Sequence, residues 1–176
     1  MSVRQTRRVV LGALLLGALL LGTAGCDDGE TSIEPPAAVP IAESIVRAGP
    51  LVATLQVPLE EVPPGGAFVV RYQLANLSAD TVRLEFACAS DVTFSVRDAA
   101  GQVVSGGGCL TSVSQRTLPP GGFLLRDLAL RAERMGVVPT PLPAGRYDVV
   151  AEPTLSRIDG VHVTALPPLV RPLRVR

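Results

Sequence analysis

From Leu51 onward the chain alternates apolar and polar residues with a period of two. Leu51, Ala53, Leu55, Val57 and Leu59 fall on one side, and Val52, Thr54, Gln56 and Pro58 on the other. The same parity runs through Phe68, Val70, Tyr72 and Leu74, through Val82, Leu84 and Phe86, and through Val92, Phe94 and Val96. A strand sends successive side chains to opposite faces, so each run predicts a strand with one buried face. Turn residues separate the runs: Pro63-Pro64-Gly65-Gly66, Asn76 to Asp80, Asp98 to Gly101, Pro119-Pro120-Gly121-Gly122 and Pro143-Ala144-Gly145. Between Leu125 and Leu128 the inward parity slips, and a β-bulge near Arg126-Asp127 is the expected repair. Pro167, Pro168 and Pro172 confine the last run, Leu169 to Arg176, to an edge strand. A single weak helical turn is expected over Ile41 to Arg47, and no run has a 3.6 period long enough for a helix. Residues 51–176 are therefore read as an all-β sandwich of about 7–9 antiparallel strands.

The first 50 residues read differently. Arg4, Arg7 and Arg8 precede an apolar run from Val9 to Leu21. That run is shorter than the roughly 20 residues that span a bilayer and fits a secretory signal. Thr23-Ala24-Gly25 leads directly into Cys26 and resembles a bacterial lipobox, with Thr23 where a leucine usually stands. The resemblance implies that residues 1–25 are a signal peptide and that Cys26 is acylated. Residues 26–50 carry prolines at 35, 36, 40 and 50 and acids at 27, 28, 30, 34 and 43, and read as a flexible linker. The chain is thus expected in the cell envelope, held on a lipid bilayer through Cys26 and facing the periplasm or the exterior.

Composition narrows the partners. All sixteen basic residues are arginine; without the leader's three, thirteen face sixteen acids, a net charge of −3. This is no basic footprint for nucleic acid. The chain has four Phe, two Tyr and no Trp. Phe68, Tyr72, Phe86, Phe94, Phe123 and Tyr147 all fall on expected inward positions, which leaves no aromatic platform for stacking sugars or bases.

Cys88 and Cys109 are the two remaining thiols, and an exported chain sits where disulfides persist. A hairpin around Ala99-Ala100-Gly101 would set Cys88 opposite about residue 112, three beyond Cys109. Gly106-Gly107-Gly108 can absorb that offset, so a Cys88–Cys109 bridge is expected, contributing about 3 kcal/mol in the chain-entropy model.

No residue set reads as catalytic. His162 is the only histidine and is expected to face solvent. No serine sits in a nucleophile-elbow context, no His/Cys set suits a metal, and Glu60-Glu61 lie beside a proline-rich turn. The expectation is a protein that is not an enzyme, with no cofactor and no metal.

VPPGGAFVVRYQLANLSADTVRLEF, VTFSVRDAAGQVV, TLPPGGFLL and LPAGRYDVVAE follow one another between Leu51 and Glu152. In content and order they resemble the intracellular proteinase inhibitor family of the BsuPI type. The resemblance implies an immunoglobulin-like β-sandwich and a proteinase-inhibitor-like binding module. Gly145-Arg146-Tyr147 also looks like a tyrosine corner. An inhibitory segment needs an extended, stiff loop. Arg134, Met135, Val137 and Val138, in the apolar proline-rich stretch 134–141, are the candidate binding loop. The envelope partner would be a protease or another envelope protein. The alternative is a structural or assembly lipoprotein that docks on an envelope protein, with the edge strand from Leu169 as the pairing element.

Overall fold

The computed structural model describes residues 41–58 and 61–176. The expected leader, the acylation expected at Cys26, the expected linker up to residue 40, Leu59 and Glu60 lie outside them. Among the described residues fourteen strands follow in order. They are β1 (Ile41–Ala48), β2 (Leu51–Pro58), β3 (Ala67–Asn76), β4 (Val82–Cys88), β5 (Val92–Arg97), β6 (Val103–Gly106) and β7 (Thr111–Leu118). Then come β8 (Phe123–Arg131), β9 (Glu133–Arg134), β10 (Thr140–Pro141), β11 (Gly145–Pro153), β12 (Leu155–Ile158), β13 (Val161–His162) and β14 (Leu169–Val175).

One sheet has the order β1-β2-β3-β8. Two others, β14-β11-β5-β6 and β13-β12-β4-β7, share continuous ribbons, because β4 runs on into β5 and β11 into β12. Thr154 donates to Asp91 O at 3.1 Å and Ala87 to Thr154 O at 2.8 Å across the breaks. The short hairpin β9–β10 stands apart. If the two-residue strands β9, β10 and β13 are set aside and each continuous ribbon counts once, nine remain. The all-β sandwich is therefore the architecture.

The alternation works as the sequence demands. Leu51, Ala53, Leu55 and Val57, then Phe68, Val70, Tyr72 and Leu74, are buried on the first sheet. Leu84, Phe86, Val92, Phe94 and Val96 are buried opposite. They form one core, in which the Tyr72 and Phe94 rings meet edge to face at 6.5 Å. A one-residue slip of any strand would turn its apolar row to water, so the core fixes the register.

The two Pro-Pro-Gly-Gly sequences fold alike. Gly66 N–H bonds Pro63 O and Gly122 N–H bonds Pro119 O, each at 2.8 Å. Gly65 and Gly121 have φ of +71° and +70°. That is a type II turn, which needs a residue tolerating positive φ at its third position. Each turn feeds a strand of the pair β3–β8.

Several expectations change. Residues 41–48 are not a helical turn: β1 pairs antiparallel with β2 along its length, from Ile41 opposite Pro58 to Ala48 opposite Leu51. The sandwich thus begins ten residues earlier than the expected boundary at 51. No bulge interrupts β8, whose register against β3 is continuous from Arg131 opposite Ala67 to Phe123 opposite Ala75. Phe123 consequently lies on the outer face and is 56% exposed, not in the core. β14 is an edge strand as expected, but part of its free side is covered: Val62 N–H donates to Arg174 O and Arg176 N–H to Val62 O.

Other details follow the sequence. Tyr147 Oη donates to Pro143 O at 3.0 Å, a tyrosine corner. Cys88 and Cys109 form a disulfide with Cα atoms 5.6 Å apart. Cys88 faces Thr111, and Gly106, Gly107 and Gly108 take positive φ of 71°, 86° and 101° on the way.

Asn76 is one of the buried polar side chains among the described residues. It has no exposed surface and sits where the chain crosses between sheets, from β7 to β8. Its amide nitrogen donates to Asp80 O (2.7 Å), Leu118 O and Pro119 O (both 3.1 Å). Its Oδ1 accepts from Ser78 N–H and Oγ–H. A buried carbonyl left without its donor loses about 1–3 kcal/mol. Asn76→Ala is expected to lower unfolding stability by about 3 kcal/mol, read as a drop in the urea midpoint.

Candidate binding cleft

The break between β4 and β5 is occupied by Asp91, whose side chain is 0% exposed. A carboxylate cannot stay ionised in a core without matched cations. Two arginines supply them from different sheets. Arg126 on β8 donates through Nη2 to Asp91 Oδ2, and Arg116 Nε on β7 lies 3.4 Å from Oδ1. Their side chains are 42% and 37% exposed. The cluster therefore has its anion inside, its cations at the surface and one positive charge in excess.

This explains the broken parity of β8. Its even residues face inward, as the pairs Leu74–Leu124, Tyr72–Arg126 and Phe68–Leu130 require. Arg126 stands where alternation asks for an apolar residue because Asp91 is there to receive it.

Tyr72 lies fully buried in the same region, and its Oη makes no hydrogen bond among the described residues. Burial first, and the Asp91 charge second, push its phenol far above the ordinary tyrosine range. On the outer face, Arg71 Nε and Nη2 each donate to Asp127 at 2.8 Å. That bidentate hydrogen bond holds the Asp127 carboxyl below the usual carboxylate range.

Beside the cluster a cleft of about 350 Å³ opens between β8 and the glycine segment after β6. Asp91, Phe94, Arg126, Leu128 and Leu130 form one wall and floor, and Gly106 to Gly108 the other. The candidate loop adjoins it. Met135 N–H donates to Val104 O at 2.8 Å, and Gly106 N–H approaches Met135 Sδ at 3.0 Å. Arg134 pairs with Thr140 in the β9–β10 hairpin, so both ends of the tip are held. Arg134, Met135, Val137 and Val138 are all exposed, and Val137 is fully so.

The remaining residues of the sequence reading are dispersed. His162, on β13, is exposed beside Arg157 Nη2 at 2.9 Å. Glu61 is exposed. Among the described residues no group of three or more His, Cys, Asp or Glu could hold a metal ion, and no helix is long and apolar enough to cross a membrane. Asp91, Arg116 and Arg126 were missed. The available signal was a lone acid inside an apolar strand pattern and an arginine at an inward position of β8.

No family model and no curated protein matches the sequence. Among solved structures, the CARDB domain of a Pyrococcus furiosus protein in complex with di-metal ions is similar over 77% of this chain and 89% of its own, at 12% identity and a TM-score of 0.41. A β-glucosidase from Listeria innocua is similar at 12% identity and a TM-score of 0.39, over 78% of this chain. One from Erythrobacter marinus gives 10% and 0.41 over 77%. This chain spans 16% of either glucosidase. At that level of likeness their metals and glucosides carry no implication here.

Arg126→Leu leaves a buried carboxylate half-paired and is expected to cost about 3 kcal/mol. Asp91→Asn releases two cations that already reach water and should cost less. The double variant should unfold at higher urea than Arg126→Leu alone. Tyr72 ionises near 10 in the unfolded chain and far higher when folded, so its contribution is intact below about 10 and is lost as pH rises above it. Tyr72→Phe should reduce this alkaline loss by about 1 kcal/mol at roughly one pH unit above 10, measured as urea midpoints at neutral and alkaline pH.

Proposed function

We propose that this chain is a lipid-tethered, non-enzymatic binding module of the cell envelope that presents the loop 134–141 to a protein partner. The observation that carries the reading is the loop's tip. Three apolar side chains, Met135, Val137 and Val138, stand in water on a hairpin that backbone bonds hold at both ends. Burying such a side chain contributes about 1.5–3 kcal/mol, and a loop already held in shape loses little entropy on docking. The same form suits a proteinase-inhibitor-like role, with an envelope or secreted protease as the partner. The Cys88–Cys109 disulfide supports an oxidising location, and the leader ending at Cys26 supports the lipid anchor.

The test uses the full-length protein purified from detergent-solubilised membranes as bait. Val137→Ser with Val138→Ser is expected to abolish recovery of the partner while leaving the urea midpoint unchanged. Inhibition across a panel of envelope and secreted proteases should fall in the same variant if the partner is a protease. Cys26→Ser should move the protein from the membrane to the soluble fraction. Undiminished recovery with the serine variant would remove the loop from the reading, and a Cys26→Ser protein still on the membrane would remove the anchor.

A further inference from the structure

The free edge of β8 borders the cleft and is not used by the loop. At both ends of the β3–β8 ladder the bonds fall on even residues of the β8 side. Asn76 N–H donates to Gly122 O and Ala132 N–H to Gly66 O, each at 2.9 Å. Antiparallel ladders alternate bonded and non-bonded pairs. The backbone groups of Phe123, Leu125, Asp127, Ala129 and Arg131 therefore point away from β3. Among the described residues no backbone bond reaches them, and one side chain does: Arg126 Nη1 donates to Leu125 O at 3.0 Å.

Natural sheets guard such an edge with charge, proline, a bulge or an inward-pointing charged residue. β8 has no proline and no bulge, and its one inward charge, Arg126, admits only a strand whose own side chain answers that charge. Arg126 turns inward to Asp91, Asp127 bonds Arg71, and Arg131 bonds Glu133 at 2.8 Å. Leu125 and Leu128 stay 40% exposed.

A strand added here would set every second side chain on the cleft side, about 5 Å from its neighbour on β8. A residue opposite Arg126 would meet the surplus positive charge of a cluster in which two guanidiniums share one carboxylate. The next residue on that face, opposite Leu128, would stand over the apolar part of the cavity.

We propose that the β8 edge receives an extended segment of a protein partner. The segment carries a carboxylate side chain opposite Arg126 and a large apolar side chain two residues along, opposite Leu128. The added strand pairs through the backbone of the odd residues of β8, and the cleft reads its side chains. This rests on the chain being a binding module and adds a site separate from the loop tip.

The probe is a phage-displayed library of linear dodecapeptides, selected on the full-length protein in detergent. Enriched peptides should show an acid and a large apolar residue spaced by one. They should protect the amides of Leu125, Asp127 and Ala129 from hydrogen exchange. Ala129→Pro removes one outward N–H and leaves the β3 ladder whole, since edge strands accept proline. It should weaken peptide binding by at least about tenfold, while Ala129→Val, which keeps the N–H, binds as the parent does. The Val137→Ser, Val138→Ser variant should keep peptide binding whatever becomes of the loop reading. The proposal fails if no linear peptide is enriched, or if Ala129→Pro with unchanged circular dichroism binds equally well. It fails too if other amides are protected, or if the edge is instead filled by a second copy, seen as self-association that Ala129→Pro abolishes.

Discussion

A carboxylate with no exposed surface has to be matched by cations, and at Asp91 that requirement reaches across both sides of the sandwich. Arg116 comes from the end of the sheet that contains β4, and Arg126 from the edge strand of the facing sheet. To deliver Arg126, β8 must give up an apolar inward position in the middle of its length. The inner face of β8 is then apolar at its ends and charged at its centre. The cleft opens beside that charged centre, with Asp91 and Arg126 in its lining. A buried ion pair of this kind is weak evidence for net stability, because desolvation offsets most of the Coulomb gain. Its consequence here is geometric, in that it fixes which face of β8 is inside.

Most of the fold was legible because period-two alternation is a local signal. Each of β2, β3, β4 and β5 carries its buried row within its own sequence, and the turns between them are written in Pro, Gly, Asn and Asp. The hairpin register was also legible, since a short turn sets it, and that register brought Cys88 near Cys109. The unread features are all non-local. Asn76 bonds carbonyls 42 and 43 residues away, and Asp91 meets Arg126 35 residues away. The neighbouring sequence shows an acid amid apolar runs and an asparagine opening a turn, but not the distant partners that bury them. β1 escaped notice because its partly buried positions are Ser44, Val46 and Ala48, while Ile45 points out to water. Its strand character comes from pairing with β2. The parity slip in β8 was visible, but a bulge and an inward arginine look alike until the partner carboxylate is located.

The edge strands β14 and β8 are treated differently, and the difference separates two ways of docking. β14 combines an internal proline with partial cover from Val62, which occupies its backbone at Arg174 and Arg176. Strand addition at the C-terminal end of β14 would have to displace Val62. β8 presents nine residues with continuous register and neither device. The expectation that the last strand would do the pairing followed from the prolines that confine it to an edge. The proposed pairing lies instead at β8, whose outward backbone groups no backbone bond reaches among the described residues.

Three successive glycines in left-handed conformations are entropically costly to order, and Gly106 to Gly108 are ordered from three directions. The disulfide at Cys109 fixes the far end. Gly107 N–H bonds Phe94 O, and a Cβ on Gly106 would come within 2.5 Å of that same oxygen, so the segment is seated against β5 where no side chain fits. Met135 closes the third side through its own N–H on Val104 and its sulfur beside Gly106. The loop and the glycine wall are thus one mechanical unit. Reduction of the bridge would free the wall at Cys109, loosen its hold on β5 and reach the loop through Met135. The cystine therefore bears on the shape of the proposed binding surface as well as on the stability of the sandwich.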